Sequence, residues 1–136
     1  MKVYYVNHDQ RFRALKRNLE KHGLEYELRL VSRKKPLTEK EFKDILKFTD
    51  NGIDDVLAKR SSVYKEISQV LNFNDLKLSQ VLRFINNNPN LLKSPITVFD
   101  HKVIFGFKNE DSGSFLQRNQ RKEKLFMLMK SVKSVS

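Results

Sequence analysis

Residues 86–107 read NNNPNLLKSPITVFDHKVIFGF, and the order of signals in this stretch decides the fold. Three asparagines and Pro89 close the preceding helix, because Asn side chains compete for backbone groups and proline cannot continue a helical ladder. Pro95 then opens two strand-like runs, Ile96–Phe99 and Val103–Phe107, rich in β-branched and aromatic residues. The link Asp100-His101-Lys102 is short enough to fold these runs into a β-hairpin. A helical block therefore hands over to one half of a sheet at this point.

Working back toward the N-terminus, Leu78, Val81, Leu82 and Ile85 make an apolar stripe at helical spacing. Thr38 and Glu41 stand as a capping box, opening a helix with Phe42, Ile45 and Leu46 on one face. Asn51-Gly52 interrupts it as a turn, and short helical pieces are expected around Asp54–Leu57 and Ser62–Ile67. At the start, VYYV (3–6) has the composition of a buried strand. Asn7 or Asp9 caps a helix whose apolar face is Phe12, Leu15 and Leu19, and Gly23 ends it with Leu24 folding back. From Glu25 to Val31, Tyr26, Leu28 and Leu30 alternate with charged neighbours as a second strand, closed by Arg33-Lys34-Lys35 and Pro36. A strand, a helix and a strand within about thirty residues is the βαβ unit of a parallel sheet. Beyond the hairpin, Phe115 to Lys130 is basic and helical in pattern. The predicted order is βαβ, helical block, ββ, α. We expect a single α/β domain in which residues 1–35 and 95–136 form one lobe and residues 36–94 a helical insertion lobe.

The chain has 136 residues, 39% of them hydrophobic, enough for one core. No run approaches the ~20 apolar residues of a membrane span, and MKVYYVNHDQ is too polar for a signal peptide, so a cytoplasmic protein is expected. Cysteine is absent, which removes disulfides, thiolate metal sites and thiol nucleophiles together. His8, His22 and His101 are scattered without metal-ligand spacing, so neither a metal nor a cofactor is expected. The formal charge of +11 is unevenly placed: residues 1–35 carry ten Lys and Arg against four Asp and Glu, residues 101–136 eight against three, and residues 36–100 nine of each. If the two ends build one lobe, that lobe is basic and attractive to polyanions such as DNA.

Two segments carry a family resemblance. Residues 46–67, LKFTDNGIDDVLAKRSSVYKEI, and the stretch 86–107 together resemble the bacterial Spx regulators and their relatives, the ArsC-type arsenate reductases. The likeness implies a thioredoxin-like fold with a helical insertion between its βαβ and ββα halves, and a role in stress-response transcription. Asp50-Asn51-Gly52-Ile53-Asp54, followed by Lys59-Arg60-Ser61, is similar to the Spx surface that docks on the C-terminal domain of the RNA polymerase α subunit. The resemblance implies that Gly52 and Arg60 belong to that contact. Taken alone, Asn51-Gly52 reads as an ordinary tight turn and Arg60 as a solvated or internally paired cation. The charge of the basic lobe points to promoter DNA, and the resemblance implies turnover by a Clp protease that reads the C-terminus, from which the ending here, Ser134-Val135-Ser136, departs.

The departures lie at the redox site. The family's C-x-x-C stretch aligns with Asp9-Gln10-Arg11-Phe12, so Asp9 and Phe12 stand where the two cysteines would be. The family's arginine before the strand proline falls at Ser94. A carboxylate cannot perform thiol–disulfide exchange. The Ser94-Pro95 bond is expected to be cis, as at the matching proline of thioredoxin-like folds. We expect a non-enzymatic, redox-inactive regulator. Its rivals are a direct nucleic-acid-binding protein and a degenerate arsenate reductase-like protein without catalytic activity.

Overall fold

In the computed structural model, which describes residues 1–106, two short strands run side by side near the start of the chain. The expected helix over Phe115–Lys130, Phe107 and the C-terminal ending lie outside the described residues. β1 (Lys2–Tyr5) and β2 (Glu27–Leu30) pair in parallel, with Val3 beside Leu28 and Tyr5 beside Leu30. Between them runs α1 (Gln10–Lys21). Of the two candidate caps it uses Asp9, whose carboxylate accepts from the Phe12 amide at 2.9 Å. Gly23 ends the helix at φ +63°, and Leu24 N–H reaches back to the Leu19 carbonyl at 3.0 Å.

Helices α2 (Glu39–Leu46), α3 (Ile53–Val56), α4 (Ser62–Ser68) and α5 (Leu78–Asn87) come next, before the chain returns to the sheet. β3 (Ile96–Phe99) pairs antiparallel with β1, and β4 (Lys102–Phe105) antiparallel with β3, giving the order β2-β1-β3-β4. The Ser94-Pro95 peptide is cis.

Strand alternation sends Val3 and Phe99 to one face and Tyr4 and Ile96 to the other, so each face has its own core. On the first face α1 contributes Phe12, Leu15 and Leu19, each 1% exposed. On the second, Tyr4, Val31 and Ile96 share a cluster with Phe42, Ile45, Val81 and Ile85 from the helices between β2 and β3. A polar clamp fixes α2 to this face. Glu41 accepts from Arg29 Nε at 3.0 Å and Nη2 at 3.1 Å, from Lys2 Nζ at 3.3 Å, and from the Thr38 amide at 3.1 Å. A second clamp is the Asn86 side-chain amide, which accepts from Leu37 N–H at 2.8 Å and donates to its carbonyl at 3.0 Å.

The structure corrects several sequence expectations. The second strand is Glu27–Leu30 rather than Glu25–Val31, and at the sheet edge Leu28 is 38% exposed. Leu78 begins α5 but is 48% exposed, so the stripe it was assigned to buries only Val81 and Ile85 fully. The hairpin link is two residues long. Asp100 (φ 46°) and His101 (φ 61°) take the left-handed geometry that matches strand twist, and Lys102 already pairs with Phe99. Two 3-10 turns, Phe73–Asp75 and Pro89–Leu91, went unread because single turns carry no periodicity; they bury Phe73 and Leu91.

Candidate functional site

The segment from Asp50 to Ser61 is built around one carboxylate. Asp55 accepts from the amides of Asp50 at 3.1 Å and Asn51 at 2.9 Å, curling the chain just before α3. The Asn51 hydrogen bond outweighs the upward push of burial and holds the Asp55 carboxyl below its usual range. Gly52 sits at the apex with φ 61° and ψ −128°, which L residues rarely adopt, and no atom lies within 4 Å of where its side chain would start. After α3 the chain turns outward. The Ser61 hydroxyl donates to the Ala58 carbonyl at 2.6 Å and accepts from the Tyr64 amide at 3.2 Å, capping α4. Lys59 and Arg60 are exposed on this turn, and Lys59 pairs with Asp54 at 3.3 Å.

Gly52, half-buried, precedes α3, and Arg60, exposed, lies on the turn that follows it, with the Asp54–Lys59 pair between them. Beneath them Val56 and Leu57 are buried. An antiparallel bridge between Leu57 and Leu92 ties the segment down through Ala58 N–H to the Leu91 carbonyl (2.8 Å) and Lys93 N–H to the Val56 carbonyl (2.9 Å). This is a solvent-facing turn with Lys59 and Arg60 exposed on it, and its Ser61 hydroxyl is engaged in capping α4.

Asp9, Phe12 and Ser94, the positions where the resemblance leads one to expect the thiol site, gather at the end of β1, and each has a structural partner. Asp9 caps α1. Phe12 is 1% exposed and stacks on Tyr5 with ring centroids 4.3 Å apart, and His8 meets both rings edge-on. Ser94 Oγ accepts from the Val6 amide at 2.9 Å, fastening the segment before Pro95 to the strand end. Beside them lies a shallow cleft of about 470 Å³ between the ends of β1 and β2 and the Pro89 turn, lined in part by Asn7, Ser32, Arg33 and Asn90. Asn7 donates to Asn90 across it at 3.2 Å. Among the described residues no group of His, Asp or Glu could hold a metal ion.

Sequence reasoning missed Asp55 and the Leu57–Leu92 bridge. An acidic residue three positions after an Asn-Gly pair was available as a signal for the first. The bridge joins residues far apart in sequence, and no local pattern announces it.

A model of the ArsC family matches residues 7–115. Global transcriptional regulator Spx 2 of Oceanobacillus iheyensis is 37% identical over 102 residues, which cover 75% of this chain and 73% of that protein. Global transcriptional regulator Spx of Streptococcus pneumoniae R6 is 32% identical over 114 residues, 83% of each. Among solved structures, an arsenate reductase from Vibrio cholerae matches with a TM-score of 0.64 at 18% identity, over 86% of this chain and 97% of that one. At that identity the likeness concerns the fold alone.

Proposed function

Because the chain belongs to the ArsC family and is related to the Spx global transcriptional regulators, we propose that it is a Spx-like regulator that binds the C-terminal domain of the RNA polymerase α subunit. The contact surface is the turn that carries Gly52 and Arg60. The observation that carries this reading is the exposure of Arg60 on a turn pinned from below by the Leu57–Leu92 bridge. A guanidinium with several planar donors, held on a rigid support, suits a protein interface.

The activity of this regulator is set by its abundance, since the chain has no cysteine to oxidise. Removal by a Clp protease is the corresponding route of turnover, and the cytoplasm is its place of action. Residues 1–35, with ten Lys and Arg against four Asp and Glu, face promoter DNA or another part of the polymerase. Arsenate reduction is the rival that the family leaves open. It needs a thiol that this chain lacks, and an assay with an added thiol donor tests it directly.

The test is capture of polymerase from cell extract by immobilised wild-type and Arg60→Glu protein. Wild type retains polymerase and the variant loses it. Equal retention by both overturns the proposed surface. Arg60→Glu is a better probe than Gly52→Arg, because a side chain at φ 61° strains the turn whether or not a partner binds there.

A further inference from the structure

The exposed face of α1 carries a basic stripe that the fold engages only in part, through a hydrogen bond from Arg13 Nη1 to the His8 carbonyl at 2.9 Å. Phe12, Leu15 and Leu19 bury one side of the helix, and Arg13, Arg17 and Lys21 recur at every fourth position on the opposite side. Successive members of this stripe are about 6 Å apart along the axis. Like charges at that spacing repel, and Arg11 and Arg13 lie near the helix N-terminus, where the macrodipole disfavours cations. No acidic residue occupies the first turn. Among the described residues, no ion pair neutralises the stripe. The one carboxylate within the helix, Glu20, accepts instead from the Tyr26 hydroxyl at 3.0 Å. Arg33, Lys34 and Lys35 follow β2, and the parallel pairing of β1 and β2 places them at the same end of the sheet as the start of α1, with Arg33 Nε donating to the Asn87 carbonyl at 2.9 Å. Lys21 suits the last turn, where the macrodipole favours a cation, but the repulsion of Arg17 with its neighbours in the stripe is relieved by a polyanion.

We propose that this face of α1 lies along the phosphate backbone of double-stranded DNA and binds it without reading sequence. The choice of DNA among polyanions rests on the regulator reading; the basic face itself does not. The chemistry favours a duplex over the alternatives. A lipid surface would call for apolar groups flanking the cations, but the apolar residues of α1 are buried in the core. Single strands are held by stacking on exposed aromatics, and the stripe carries none. Contacts from Arg and Lys to phosphate oxygens position a protein on a duplex without specifying bases.

The experiment uses the full chain and a labelled duplex, with affinity read by fluorescence anisotropy between 50 and 200 mM salt. One variant replaces Arg13, Arg17 and Lys21 with Gln; a charge-matched control replaces the exposed Lys40, Lys65 and Lys77. The stripe variant is expected to bind at least tenfold more weakly, with a salt slope shallower by about 2 to 3, given ~0.9 per lost phosphate contact. The control stays within about twofold of wild type, as expected when binding follows local phosphate contacts rather than net charge. Equal losses in the two variants, or no duplex binding by wild type, overturn the proposal. So does a stripe variant that loses phosphatidylserine vesicles but keeps the duplex. Thermal melting confirms that the stripe variant is folded, and its polymerase capture is expected to match wild type. Loss of capture by Arg60→Glu with duplex affinity intact separates the two surfaces, so either proposal can fail alone.

Discussion

Gly52 and Arg60 carry unequal weight. The glycine is required by its own turn, since φ 61° with ψ −128° strains any L residue before a partner arrives. Gly52→Ala is therefore expected to lower stability by about 1–2 kcal/mol in urea unfolding, with or without a ligand present. Arg60 is exposed, so its replacement should leave the unfolding midpoint unchanged and report on binding alone. Phe12 is buried in the core and stacks on Tyr5. Phe12→Ala should cost about 3–5 kcal/mol, while Asp9→Ala, which removes only a cap, should cost about 1 kcal/mol. A Phe12→Ala loss no larger than that of the cap would contradict the view that packing has taken over this site.

Among the elements, the attachment of α2 to the sheet is the most open to test. Burial pushes the Glu41 carboxyl up, but hydrogen bonds from Arg29 and Thr38 outweigh it and hold the value at about 2, against an ordinary 4.5. The folded state thus favours the carboxylate. Its contribution is complete above about pH 4.5 and is lost as pH falls toward 2, a change of roughly 2–3 kcal/mol for a mostly buried group. Glu41→Gln should flatten the stability curve over that interval, as measured by denaturant unfolding at a series of pH values; an unchanged slope would show that another carboxylate is responsible. The capping box that places Glu41 was legible from Thr38 and Glu41 alone, because caps are local. So were α1, the parallel βαβ unit and the hairpin, each marked by periodicity or turn residues. The reach of Glu41 to Lys2 and Arg29, the clasp of Asn86 on Leu37 and the Leu57–Leu92 bridge were not. They depend on how distant elements pack, and in the sequence Asn86 carries only the signal of a helix end. At the candidate site Gly52 and Arg60 were expected from the resemblance alone, and the Asp55 carboxylate that shapes their turn was not expected.

At the scale of the whole molecule, the sheet separates two kinds of surface. α1 and its cations lie on one side, and the segment that presents Arg60 is tied to the helices sharing a core with the other. Such a division suits a protein that bridges two partners. A chain without cysteine should bind the proposed polymerase partner equally well before and after treatment with the thiol oxidant diamide; a response to the oxidant would refute the abundance-controlled reading. The central claim, that the turn bearing Arg60 is a docking surface, is tested most directly by calorimetric titration with the isolated C-terminal domain of the α subunit. Wild type should bind saturably, and Arg60→Glu should bind at least tenfold more weakly, about 1.4 kcal/mol, at an unchanged melting temperature. Equal affinity for the two proteins, or no binding by wild type, would contradict the account.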